Sequence, residues 1–143
     1  MIQGHCGEAG PIVLVRVGAT PAWRQMTATD RRDLGAPSSV PVRALVDTGA
    51  MFSTIIRSTA DRIKPMDVGA VRFRGVTGVG NPKDQTTRRV AVEVTLGDEP
   101  FELPVAVVEA LDDSHDMLLG MDLLRRFVLT VNGPAGEVSL RRP

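Results

Sequence analysis

Short β-branched runs, each closed by Gly, Pro or Asp, recur along this chain and leave little room for any fold but a β-rich one. Pro11-Ile12-Val13-Leu14-Val15-Arg16-Val17 ends at Gly18, and Pro41-Val42-Arg43-Ala44-Leu45-Val46 ends at Asp47; both have the residue types of strands. Val71-Arg72-Phe73-Arg74 and Val90-Ala91-Val92-Glu93-Val94-Thr95-Leu96 alternate in polarity, as half-buried strands do. Gly97-Asp98 turns the chain into a further run, Phe101 to Val108, and Leu118-Leu119-Gly120 reads as a short buried strand. Phe127 to Val131 and Val138 to Leu140 flank the turn Asn132-Gly133-Pro134-Ala135-Gly136, which predicts a closing hairpin.

Helix signals are fewer. Thr20-Pro21 suits a helix start, with Thr20 as N-cap and Pro21 at the first helical position; Ala22, Trp23, Met26 and Leu34 then form a loose apolar stripe up to Gly35. Ala36 to Pro41 is Pro- and Ser-rich loop. Ser58-Thr59-Ala60-Asp61 has the form of a capping box and predicts a helix towards Lys64, stopped by Pro65. Met121 to Arg126 predicts a last short helix. Many short strands, frequent turns and one to three small helices make an all-β, barrel-type domain. The 143 residues suit one such domain with a genuine core. Residues 1–10 are expected to be a flexible N-terminus ahead of a folded domain over 11–143.

Composition narrows the partners. Lys+Arg and Asp+Glu are balanced at 17 each, so nothing in the charge calls for a nucleic-acid or membrane partner. The many Arg residues lie among acids and read as solvated strand ends. Cys6 is alone and can form no intrachain disulfide. Met1 to Gly10 lacks the layout of a signal peptide, and apolar stretches such as Pro104 to Val108 fall far short of a membrane span. A soluble cytoplasmic protein is expected. Asp112, Asp113, His115 and Asp116 are the densest group of potential metal ligands, but no second half of a site accompanies them and a solvated loop is expected there. No metal or other cofactor is predicted. Ser53, Thr54 and Ser58 lack His–acid partners, which argues against a serine hydrolase.

The residues with the most specific chemistry are Val46-Asp47-Thr48-Gly49-Ala50. An apolar strand that ends in Asp buries the base of a carboxylate. Gly49 permits a sharp turn and a close backbone approach, and the Thr48 hydroxyl can tie that turn to a neighbour. Such a carboxylate could orient water or bind a cation. Asp-Thr-Gly by itself also suits an ordinary turn.

A second element adds to it. Leu118-Leu119-Gly120-Met121-Asp122-Leu123-Leu124 begins 118 − 47 = 71 residues after Asp47. Together with the glycine-rich turn Gly75-Val76-Thr77-Gly78-Val79-Gly80, these segments make the chain resemble the retropepsin-like aspartic proteases, the single-domain, retroviral-type family with bacterial and cellular members. The resemblance covers roughly Pro11 to Leu140 and makes 18–40 an insertion between the first strand and the strand before Asp47.

The resemblance implies a catalytic group of Asp47, Thr48 and Gly49. It also implies a substrate-binding set of Ala50, on the cleft floor, and Gly75, Val76, Thr77, Gly78, Val79 and Gly80, in a flap hairpin. The family's mechanism uses two carboxylates that share one proton and activate a water. This chain holds one Asp-Thr-Gly and no Asp-Ser-Gly, so a homodimer with Asp47 supplied twice is implied, acting on a peptide or protein substrate. The strand Val138 to Arg142 is a candidate for the dimer interface. The chain departs from the retroviral pattern at Met51 and Met121, where those enzymes usually carry an Asp and an Arg; apolar packing is expected to replace that ion pair, and Asp122 to cap the final helix. The competing reading is a catalytically idle dimerisation or peptide-binding module with the same fold; a third is a protease that stays monomeric until something assembles it.

Overall fold

The alternation read from the sequence is realised along β2 (Gly10–Ala19), where Val13, Val15 and Val17 are buried while Leu14 and Arg16 between them face outward. The same period places Val40, Val42, Ala44 and Val46 of β3 (Val40–Val46) in the core. Val90, Val92, Val94 and Leu96 of β6 (Lys83–Leu96) join them. Side chains alternate across a strand, so one buried face per strand is what a closed sheet needs. The computed structural model describes the backbone of residues 1–75 and 83–143, and side chains outside 73–85.

Closure comes from β2 pairing with both β3 and the end of β6, which carries Val92 to Thr95 alongside Arg16 to Ala19. From β6 the barrel continues through β7 (Glu99–Val108), β4 (Thr54–Ile56) and β8 (Met117–Leu119) to β3, so six strands close on themselves. Two strand sets extend it. The strand β5 (Met66–Gly75) pairs with β6, and β1 (Ile2–Gly7), β10 (Glu137–Arg141) and β9 (Val128–Asn132) follow β2 in the sheet. The fold is thus all-β, as expected, but the described residues hold four short helices where one to three were expected: α1 (Pro21–Met26), α2 (Ala28–Asp33), α3 (Arg57–Ile63) and α4 (Met121–Leu124).

Several expectations are corrected. Residues 2–7, expected to belong to a flexible terminus, form a strand. The strand β1 pairs antiparallel with β10, Ile2 opposite Leu140, and with the start of β2; the backbone groups of a segment with few strongly apolar residues are satisfied by a partner from the far end of the chain. The first strand does not stop at Gly18 but continues to Ala19. The stretch to Gly35 is two helices, not one, and its apolar stripe is not a core face: α1 buries no residue, and Met26 and Leu34 are exposed. Thr20 does stand at the N-cap with Pro21 following, though its hydroxyl caps nothing, and the Ser58 capping box is unused because α3 starts one residue earlier. What anchors the two helices is Lys64, whose left-handed backbone (φ 48°) ends α3. Its carbonyl accepts the Trp23 indole N–H at 3.2 Å and an Arg31 guanidinium N–H at 2.9 Å. Finally, both edges of β10 are occupied within the chain from Val138 to Leu140, by β1 and β9.

Candidate active site

Asp47 follows directly on β3, and its position is set by main-chain bonds. Its N–H donates to the Leu119 carbonyl at 3.0 Å, which continues the parallel β3–β8 ladder by one step. Asp47 as a residue is half-buried, whereas Thr48 and Gly49 are exposed. Oδ1 accepts the Gly49 N–H at 2.9 Å, and the Ala50 N–H reaches the Asp47 carbonyl at 3.2 Å. The chain therefore folds back round its own carboxylate. Gly49 is needed here for space rather than for an unusual backbone angle, since a Cβ on it would lie 3.2 Å from Asp47 Oδ1.

The 47–53 loop is stitched to the Leu-Leu-Gly segment along its length. Met121 N–H donates to the Ala50 carbonyl at 2.8 Å and Asp122 N–H to the Met51 carbonyl at 3.2 Å. Gly120 lies so close that a Cβ would meet the Phe52 carbonyl carbon at 2.7 Å. The sequence expectation that these two segments belong together is met by this contact. The way they are joined is different. Apolar packing does not replace an ion pair between Met51 and Met121, because the Met51 side chain is 70% exposed. Among the described residues, the hydroxyl found tying this loop to a neighbour is not that of Thr48. It is that of Ser53, which is 0% exposed; its Oγ accepts the Gly120 N–H at 3.0 Å and donates to Asp122 Oδ1 at 2.7 Å. Gly120, not Asp122, is the N-cap of α4; Asp122 caps from inside the first turn, where Oδ1 accepts the Leu123 N–H at 2.9 Å, while Oδ2 takes the Ser53 N–H at 2.9 Å. Sequence reasoning passed over Ser53 because it looked for a nucleophile, and the available signal, a Ser six residues beyond Asp47, is not distinctive.

Of the flap expected at Gly75 to Gly80, Gly75 closes β5 opposite Lys83; Val76, Thr77, Gly78, Val79 and Gly80 lie outside the described residues. Ala50 is half-buried beside the carboxylate. The acidic loop after β7 is occupied with its own anchoring. Ser114 N–H donates to Asp112 Oδ1 at 3.0 Å, and this bond holds the Asp112 pKa below its ordinary 3.8. Asp116 pairs with Arg43 at 3.6 Å, and His115 is turned inward with Nδ1 2.8 Å from Ser114 Oγ. Among the described residues no group of three or more His, Cys, Asp or Glu is arranged to hold a metal ion, and no helix is long and apolar enough to cross a membrane.

With Asp47 at a strand end and Gly120 crossing its loop, comparison with known proteins becomes decisive. A family model described as aspartyl protease matches residues 35–123, more than half of the chain and a span that holds Asp47 and Asp122. The chain belongs to the aspartyl protease family. DNA damage-inducible protein 1 of Yarrowia lipolytica is 34% identical over 92 residues, which is 64% of this chain and 22% of that protein. Protein DDI1 homolog 2 of Danio rerio is 31% identical over 96 residues, again 64% of this chain and 22% of the relative. The chain thus spans about a fifth of the length of these relatives. A retropepsin-like aspartic protease from Rickettsia conorii superposes over 97% of this chain and 88% of its own, with a TM-score of 0.54 and 19% identity. That likeness makes the fold of this aspartyl protease relative retropepsin-like, including strands outside the family-matched span.

Proposed function

We propose that this chain is an aspartic endopeptidase that works as a homodimer, hydrolysing peptide bonds through a water held between Asp47 and the Asp47 of a second copy. The observation that carries the reading is the presentation of Asp47: a half-buried residue at the end of a core strand, its carboxylate held by Gly49 N–H at 2.9 Å and flanked by exposed Thr48 and Gly49. The only Asp-Thr-Gly in the sequence is this one, so a dyad needs two chains, and a C2 axis beside Asp47 supplies the second carboxylate by symmetry.

Two carboxyl groups at such range share one proton. The ionised one takes a proton from the water as its oxygen attacks the scissile carbonyl carbon, while the protonated one gives its proton to the carbonyl oxygen. The resulting diol collapses with cleavage of the C–N bond, and a proton passes to the leaving amine. The titration belongs to the pair rather than to either Asp47. In the same reading an extended peptide lies between the Asp47 floor and the hairpin joining β5 to β6, with Gly75, Val76, Thr77, Gly78, Val79 and Gly80 as its backbone partners. The exposed side chains of Met51 and Phe52 beside the loop support apolar subsites. A cytoplasmic site of action accords with the lone, half-buried Cys6.

The test is Asp47→Asn, a near-isosteric change that removes the charge. Peptide-library cleavage by the wild-type chain should vanish in the variant, with circular dichroism and solution mass unchanged. Cleavage that persists in a clean preparation of the variant refutes the role of Asp47. A wild-type dimer that cleaves nothing in the library favours the idle binding module instead.

A further inference from the structure

Two side chains that take no part in the proposed chemistry connect the catalytic loop to the rest of the molecule. Ser53 sits where the loop from Asp47 enters β4, and Asp122 lies in the first turn of α4. The donor roles along their contacts are determined. Gly120 N–H can only donate, so Ser53 Oγ accepts from it and must direct its own hydrogen to Asp122 Oδ1. Asp122 Oδ1 also takes the Leu123 N–H at 2.9 Å, and Oδ2 takes the Ser53 N–H at 2.9 Å. Ser53's own carbonyl accepts the Ala106 N–H at 3.1 Å, which adds β7 to the same point. One buried serine therefore joins the Asp47 loop, the β8–α4 junction and β7, and every hydrogen-bonding atom it has is used.

We propose that Ser53 and Asp122 form a buried clamp that positions the Asp47 carboxylate, an inference that rests on the dyad reading above. The main-chain bonds from Met121 and Asp122 to Ala50 and Met51 hold the loop's register; the clamp restrains the motion those bonds leave free. Asp122 must be an acceptor at both oxygens, because three donors converge on it. Ser53→Ala removes an acceptor from the buried Gly120 N–H and a donor from Asp122, so the loop end loosens while the ladder around Asp47 stays in place. Asp122→Asn is milder: the amide oxygen can keep the Ser53 hydroxyl and Leu123 N–H, but its NH2 then faces the Ser53 N–H, donor against donor. The expected order of effect is Asp122→Asn below Ser53→Ala and Asp122→Ala.

The experiment pairs steady-state kinetics on a cleaved library peptide with amide hydrogen exchange of the full chain at matched dimer content. For Ser53→Ala, kcat should fall roughly a hundredfold with KM within about threefold, the signature of a misplaced group rather than lost binding. Exchange at Gly49 and Ala50 should quicken at least about tenfold while Val92 and Val94 in β6 stay protected. Asp122→Asn gives the same pattern at reduced size and serves if Ser53→Ala does not fold. Unchanged exchange at Gly49 and Ala50 overturns the clamp whatever the activity does, and exchange that quickens equally in β6 overturns it in favour of a merely structural role. If the wild-type chain cleaves no peptide, the dyad reading fails, and the exchange data alone then decide whether the clamp exists.

Discussion

Gly120→Ala isolates the crossing between the 47–53 loop and the Leu-Leu-Gly segment. The added methyl would lie 2.7 Å from the Phe52 carbonyl carbon, 2.8 Å from its oxygen and 2.9 Å from the Ala50 oxygen. All three are backbone atoms and cannot rotate away. Ordinary contact is about 3.5–4.0 Å, so relieving the 2.7 Å contact makes the two segments part by roughly 0.8 Å or more. That breaks the Asp122–Met51 bond at 3.2 Å outright and stretches the Met121–Ala50 bond at 2.8 Å to its limit. Overpacking costs about 1–3 kcal/mol and a backbone hydrogen bond about 0.5–1.5, together about 2–4 kcal/mol. With a urea m-value of about 2 kcal/mol per M, the unfolding midpoint drops by about 1–2 M. The control is Gly133→Ala, where a Cβ meets nothing within 4 Å and the change should stay within about 0.5 kcal/mol. Urea unfolding followed by Trp23 fluorescence, with both variants at one protein concentration, measures the difference. Equal midpoints for the two at unchanged m refute the tight crossing.

Two further outcomes follow from groups away from Asp47. Arg31→Met keeps the bulk of a side chain that is 7% exposed but removes the donors to the Lys64 and Pro37 carbonyls, both at 2.9 Å; a loss of about 2–3 kcal/mol is expected, and a loss under about 0.5 by the same urea assay contradicts the anchoring of α1 and α2. Asp112 should titrate below 3.8 by carboxyl carbon NMR, because Ser114 donates to its charged form. Its folded-state pKa is depressed, so its small stabilising effect is present above the ordinary carboxylate value and fades as pH falls through the lower folded one; a midpoint at or above 3.8 refutes the turn bond.

Most of the architecture was readable because burial on one face of a strand imposes a period of two. The runs 11–17, 41–46 and 90–96 carry that period, and each is a barrel strand. Asp47 was readable because an acid closing an apolar run is conspicuous, and the Leu119-Gly120 contact because doubly apolar residues before Gly mark a close crossing. The strand at 2–7 was not, since Gln3, Gly4 and His5 owe their extended form to Ser139, Val138 and Glu137, more than a hundred residues away. The Ser58 capping box misled because the register of α3 follows from burying Thr59, Ala60 and Ile63, not from a local hydroxyl.

By itself the sequence determined the period of the strands and the presence of a single Asp-Thr-Gly, both of which are properties of residues close together in the chain. Only the tertiary structure decided that β6 closes the barrel on β2, that the two ends of the chain share a sheet, and that Ser53 and Asp122, 69 residues apart, meet at the end of the Asp47 loop. The reason is that a hydrogen bond between distant residues leaves no mark on the neighbours of either one. A buried serine and an aspartate read as ordinary polar residues until folding removes the water that would otherwise satisfy them.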